Sequence, residues 1–406
     1  MLLAHLSLSN FRNFIRLESA LPAGTTLVLG ANAQGKTSLL EAIHYLVAAD
    51  SPHAAQDRQL INFLALAEST PVARLVGEVH RADRILRVEI RLVLEKTNGE
   101  EPRLRKDVLL NGVRRRVGDL AGVFNAVLFL PEDLQVLEGP PAERRRYLDL
   151  ALSQADPQYA ASLAEYGRVI TQRNALLKQL SDQAANGDQL EFWDRQAAEA
   201  GASLFRGRAL AVRELETLAA PVHAELTRGA ESLRLEYLPA LPAAVPGDGQ
   251  LGLPLAETTD WTGLSHAAWR DRLSTALARM RPDDVLRGST LVGPHRDELR
   301  LLSNGIDLRP YGSRGQNRTA MISLKLAEVE WLRQRTGEWP VLLLDEVLAE
   351  LDQDRRRDLL ARVSQSQQAL LTSTDESLFD EEFRRRSTIW RIRAGQLEPA
   401  SPGLSG

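Results

Sequence analysis

Apolar and polar residues alternate through LAHLSLSNF, the period of a strand with one buried face. TTLVLG follows as a short apolar run ending in glycine, as a buried strand does. Leu39, Leu40, Ile43, Leu46 and Val47 then recur at helical spacing and predict an amphipathic helix. From Val72 to Arg116 strand texture returns in RLVGEVH, ILRVEIRLVLE and VLLNGVRR, with Asn98-Gly99 as a hairpin turn. The pattern changes near Pro157. Tyr159, Leu163, Tyr166, Ile170, Leu177 and Leu180 follow three- and four-residue steps, broken once by Arg173. Leu190, Trp193, Ala197, Ala200 and Leu204 resume that spacing after the polar stretch SDQAANGD. Two antiparallel helices are predicted, a short arm rather than a long rod. The region from Pro239 to Leu255, rich in Pro, Gly and Ala, predicts a loop, and HAAWRDRLSTALARM a further helix. After Gly288 strand texture resumes, with Asn304-Gly305 as a second hairpin turn. A helix from about Gln316 to Arg335 then leads into the strands PVLLLDE and QALLTST.

Composition adds exclusions. The 406 residues suit two or three domains, and 44 % hydrophobic with 26 % charged residues is a globular balance. There is no Cys, which removes disulfides, thiolate metal sites and cysteine nucleophiles. No apolar run is long enough to span a membrane, and MLLAHLSLSNFRNF lacks the plan of a signal peptide, so a soluble cytoplasmic protein is expected. A net charge of −4 confines any nucleic-acid surface to a local patch. All but five of the 50 basic residues are Arg, a bias that codon usage explains as readily as phosphate binding.

Gly30, Ala31, Asn32, Ala33, Gln34, Gly35, Lys36 and Thr37 match G-x-x-x-x-G-K-[ST] in full, with Ser38 next. Such a loop curls its N–H groups around phosphate oxygens, Lys36 adds a cation, and the Thr37 hydroxyl can ligate Mg²⁺. The preceding strand and following helix are the context the motif needs. Val341–Glu346 reads VLLLDE, an apolar run ending in two acids. Asp345 is placed to hold Mg²⁺ and Glu346 to polarise a water. Lys36 and Asp345 lie 309 residues apart, a separation that resembles the split heads of SMC and ABC ATPases. Ser313, Arg314, Gly315 and Gln316 resemble the S-G-G-Q signature, with Arg314 replacing a glycine, and Glu350-Leu351-Asp352 resembles a D-loop. A Ser and a Gly at a helix start form a second phosphate site, which acts in trans across a dimer. The expected fold is therefore α/β: an ABC/SMC-type P-loop ATPase head of mixed sheets and flanking helices, interrupted by a short helical arm. Residues 1–145 form the part with Walker A, 146–285 the arm, and 286–406 the part with signature, Walker B and D-loop.

Further segments narrow the resemblance. Asn10-Phe11-Arg12-Asn13-Phe14, Pro131-Glu132-Asp133-Leu134, Gly139-Pro140-Pro141, Arg144-Arg145-Arg146-Tyr147-Leu148-Asp149 and Gly293-Pro294-His295-Arg296-Asp297 accompany the ATPase motifs. Together they resemble the RecF family of bacterial recombination-repair ATPases over essentially the whole chain. The resemblance implies an ATP-dependent homodimer that binds DNA, helps RecO and RecR load RecA at gapped DNA, and hydrolyses ATP slowly as a switch. It also places Arg12 near the nucleotide phosphates. Two departures bear on hydrolysis: Thr374 and Asp375 stand where a switch histidine is usual, and Gln135 is only a candidate Q-loop glutamine. His295 is expected in a structural network and Arg355–Arg357 on a solvated face.

Candidate DNA contacts are Arg103, Arg105, Lys106, Arg114, Arg115 and Arg116, with Arg144, Arg145 and Arg146 as a second group. Contacts of this kind bind phosphate without reading sequence. With no interleaved aromatic set for base stacking, duplex is favoured over single strands. Two other classes compete. A transport ATPase subunit needs a membrane partner, and a structural chromosome ATPase needs long heptad arms.

Overall fold

The computed structural model describes residues 1–95, 102–183, 187–242 and 260–399. The Asn98-Gly99 turn, the centre of SDQAANGD and most of the Pro239–Leu255 loop lie outside them. The chain forms two compact units, Met1–Asp133 with Glu328–Gly406, and Leu134–Ala327.

The first unit holds two six-stranded sheets. One is antiparallel, ordered Phe14–Ala20, Leu2–Phe11, Val72–His80, Ile85–Glu95, Arg103–Leu110 and Val113–Arg115. Its alternation puts Leu6, Leu75, Ile90 and Val108 in the core and charged residues on the other face. VLLNGVRR is not one strand but two, because Asn111 and Gly112 adopt φ of 50° and 80° and close a hairpin. The second sheet runs Gln396–Pro399, Thr388–Arg393, Gly24–Leu29, Gln368–Ser373, Val341–Asp345 and Ala126–Phe129. Only its first strand is antiparallel to its neighbour. Val341–Asp345 and Gln368–Ser373 are buried throughout, as strands covered on both faces must be. The helix Lys36–Ala48 contributes Leu39, Leu40, Ile43 and Leu46 to the core that joins both sheets.

The second unit combines the helices Pro141–Ala155, Pro157–Gln183, Glu191–Leu226 and His266–Arg287 with a small sheet ordered Ile306–Asp307, Glu298–Ser303 and Leu233–Leu238. Asn304 and Gly305 make its expected hairpin turn, with φ of 50° and 79°. Glu191–Leu226 continues well past Leu204, because Phe205, Val212, Leu215 and Ala219 extend the buried stripe. Phe205 stacks on Trp269 at 5.0 Å. Arg173, which interrupts the apolar spacing, is fully buried and bonded to Asp194, Asp284 and Thr290. This unit is wider than residues 146–285. It takes in Pro141–Ala155 and the strand hairpin Glu298–Asp307, and its second boundary falls inside the helix Arg314–Thr336.

Candidate nucleotide site

In the first unit, a cleft of about 430 Å³ lies over the loop between the strand Gly24–Leu29 and the helix Lys36–Ala48. Arg12, Asn13, Asn32, Ala33, Gly35, Lys36, Thr37, Ser38, Gln59, Ile61, Phe63 and Glu346 line it. The loop shape is fixed from outside. Gln34 O accepts from Asn13 Nδ2 and Gly395 N, both at 3.0 Å, and Gln34 Oε1 from Ala394 N at 2.7 Å. Gln34 thus holds the loop in shape. Gly35 has φ of 116°, and a Cβ there would sit 2.5 Å from Asn13 Nδ2; one on Gly30 would sit 2.6 Å from Ile392 O. Both glycines are sterically required. No side chain caps the helix start, so its first N–H groups and its dipole serve an anion.

Lys36 is nearly buried, and its Nζ donates to Gly30 O at 2.7 Å and Ala31 O at 2.9 Å. Glu346 Oε1 lies 3.1 Å from the same ammonium. Glu346 ends the Walker B strand with φ of 52°, a left-handed conformation costing about 1–3 kcal/mol for such a residue. Strain of that size persists where surroundings hold it. Here Glu346 N donates to Thr372 Oγ1 at 3.1 Å, and Glu346 Oε2 accepts from Thr374 N at 3.2 Å. The position after Gln368–Ser373 therefore supplies a backbone N–H to the carboxylate and no imidazole. Asp345 is buried and accepts from Thr372 Oγ1 at 2.5 Å. Thr37 is exposed to the cleft. Oxygen donors suit a hard cation such as Mg²⁺. Thr37 lines the cleft and Asp345 lies beneath it at the end of its strand, and among the described residues no three His, Cys, Asp or Glu side chains cluster as a metal cage.

Arg12 borders the cleft, but its guanidinium is bidentate to the buried Glu41, both contacts at 2.7 Å. The sequence contains no local sign of that pair.

The signature residues belong to the second unit. Ser313, Arg314 and Gly315 are exposed at the start of Arg314–Thr336. Ser313 and Gln316 form a reciprocal cap, at 3.3 Å from Gln316 N to Ser313 Oγ and 3.0 Å from Ser313 N to Gln316 Oε1. Gln316 Nε2 reaches Glu231 Oε1 at 3.2 Å. Gln135 lies in the same unit, in the short helix Leu134–Glu138. His295 accepts from Tyr166 Oη through Nδ1 at 2.8 Å and donates through Nε2 to Thr290 O at 3.1 Å, and burial holds its pKa down at about 4. It is a neutral linker.

The basic candidates divide sharply. Arg103, Arg105, Arg114, Arg115 and Arg116 are exposed, with Arg105 paired to Glu95 and Asp107, and Arg114 to Asp107. Cross-strand register puts Arg74 and Arg91 on the face of Arg103, Arg105 and Arg114, with Glu89 between them, whereas Arg115 pairs with Val108 on the other side. Strand alternation could have revealed both. Two expectations are corrected. Lys106 turns to the opposite face, bonding Ala49 O at 2.5 Å and Asp57 Oδ2 at 2.7 Å over the Tyr45 ring. Arg144 is 2 % exposed, bidentate to Glu298, and donates to the carbonyls of Val136, Leu137 and Gly139. Neither reaches DNA from there. Arg145 donates to Asp297 O at 2.8 Å, and Arg146 is exposed.

Residues 2–395 match the family RecF/RecN/SMC N terminal domain. A protein of Roseiflexus castenholzii named DNA replication and repair protein RecF is 42 % identical over 98 % of this chain and all of its own length. One of Chloroflexus aurantiacus with the same name is 41 % identical over 97 % of this chain and 98 % of its own. Among solved structures, the recombination mediator protein RecF with ATPrS in the RecFOR pathway superposes with a TM-score of 0.82 at 31 % identity, covering 98 % of each chain. An SMC head bound to the C-winged helix domain of ScpA, at 15 % identity and a TM-score of 0.51, shares the fold.

Proposed function

The chain belongs to the RecF family, and from that membership we propose that it is an ATP-switched DNA-binding protein of recombinational repair and replication restart. In this reading ATP closes a homodimer on duplex or gapped DNA, where it helps RecO and RecR load RecA. The observation that carries it is the coexistence of a preformed P-loop cleft with an exposed Ser313–Gln316 cap on the same chain. A cap facing solvent is available to a second copy's nucleotide.

ATP supplies the phosphoanhydride that is broken, and Mg²⁺ would be held by Thr37 and Asp345. Lys36 must leave the Gly30 and Ala31 carbonyls and Glu346 to meet phosphate. That exchange frees the Glu346 carboxylate to orient a water and take its proton. With the Thr374 backbone N–H, rather than an imidazole, at the Glu346 carboxylate, the arrangement fits a slow DNA-stimulated ATPase. Glu346→Gln keeps ATP bound and lowers hydrolysis about 10²- to 10⁴-fold, the range for removing a general base. Phosphate release together with nucleotide retention on the protein measures it, and an unchanged rate removes Glu346 from that role.

Mass in solution tests the whole proposal. ATP with duplex DNA should double it, and ADP should not. Ser313→Arg keeps monomer affinity for ATP but stays a monomer, since a bulky cation replaces the small hydroxyl offered to the partner's γ-phosphate. If that variant dimerises like the parent, the subunits do not share nucleotide.

A further inference from the structure

Phe63 is 74 % exposed and Leu64 57 % exposed, side by side, while Ile61 and Asn62 just before them are buried. An isolated exposed apolar side chain needs no explanation, but Phe63 is also one of the residues lining the nucleotide cleft. Its mount is stiff. Asn62 Nδ2 donates to Arg12 O at 2.6 Å, Asn62 Oδ1 accepts from Leu64 N at 2.9 Å, and Asn62 N donates to Asn10 O at 2.8 Å. Arg12 N donates to Leu60 O at 2.7 Å, and Phe11 bridges to Ile61. The segment that carries Phe63 is therefore tied to the turn that supplies Arg12 and Asn13 to the same cleft.

We infer that Phe63 is the platform on which the base of the bound nucleotide stacks. The inference rests on the nucleotide reading of the cleft and deepens it. The P-loop, the helix start and Lys36 all serve phosphate, leaving an apolar aromatic face for the other end of the ligand. A flat π-surface in water gains by covering such a ring, and a mount already ordered loses little freedom on binding. Phenyl has no donor or acceptor with which to read a base edge, so it selects for stacking area and favours purines over pyrimidines.

Calorimetric titrations with ADP, CDP and inorganic pyrophosphate test this without assembling the dimer. The parent should bind ADP more tightly than CDP, and CDP more tightly than pyrophosphate. Phe63→Ala should weaken ADP at least about fivefold, from the usual worth of base–aromatic stacking, and leave pyrophosphate within about twofold. Phe63→Trp should restore ADP affinity or exceed it. Unchanged ADP affinity in Phe63→Ala overturns the assignment. So does an equal loss for ADP and pyrophosphate, which would mean that Phe63 shapes the cleft, and so does a Trp variant as weak as the Ala one. A parent that binds none of the three probes rejects the nucleotide reading itself, and this inference with it.

Discussion

Lys36→Met lowers ATP affinity by at least about a hundredfold, the largest binding effect expected in this protein. The ammonium is the one side-chain cation of the P-loop itself, and charge-assisted hydrogen bonds to phosphate are about twice as strong as neutral ones. Methionine keeps an unbranched side chain one atom shorter and removes its charge. The change also leaves Gly30 O and Ala31 O without their donor and Glu346 without its cation, so circular dichroism should accompany the titration. ATP binding as tight as the parent's, in a folded variant, would falsify the P-loop assignment.

Arg144→Ala acts on stability instead. It breaks a buried ion pair with Glu298 and strips three backbone carbonyls of a shared donor. Removing one partner of a fully buried pair costs about 3–5 kcal/mol, and the loss here is smaller because Glu298 is part-exposed and keeps Arg309 at 3.7 Å. A urea transition followed by a probe in the second unit should show that loss of unfolding free energy as a lower midpoint at unchanged slope. Arg114→Ala, in an exposed edge strand, should leave the transition in place. The two variants should part the other way on duplex DNA. Arg114→Ala flattens the log–log salt slope by about 0.9 for one lost phosphate contact, and folded Arg144→Ala keeps it. A stable Arg144→Ala variant with a flattened slope would return Arg144 to the DNA surface.

The contrast between those arginines shows what a sequence conceals. Arg114–Arg116 and Arg144–Arg146 are both runs of three, and charge alone ranks them equally. A strand end exposes one run, while helical geometry turns Arg144 inward and Arg146 outward. Lys106 differs from its neighbours for a related reason. It sits among Arg103, Arg105 and Asp107, but the two-residue period of its strand sends it to the core face with Leu104 and Val108. Where a local rule is strong, the reading carried. The P-loop has its strand and helix, VLLLD lies buried in a parallel sheet, and Asn304-Gly305 turns a hairpin. Long-range pairs left no trace. Arg12 with Glu41 and Asn13 with Gln34 join residues brought together only by the fold. Phe63 escaped because one aromatic in INFLALAE has no periodicity to mark it. The strand Leu233–Leu238 escaped because it is short and its partner comes some sixty residues later.

The strand order also dictates when the phosphate loop can exist during synthesis. Gly24–Leu29 has two neighbours, Gln368–Ser373 and Thr388–Arg393, and neither is made until more than 330 residues after it. At ribosomal speeds of about 5–20 residues per second, the P-loop strand waits roughly 20–70 s for its sheet. The antiparallel sheet, whose strands all lie within the first 115 residues, can assemble meanwhile. Pairings at such sequence separation are slow to close, and an unpaired apolar strand is an aggregation hazard while it waits. A nascent chain released after residue 340 carries every glycine of the P-loop and none of the strands that hold it. Nucleotide binding is thus a late acquisition in this protein's biogenesis, and a ribosome-stalling series read by ATP-analogue crosslinking should show it appear only once the strand at 388–393 has left the exit tunnel.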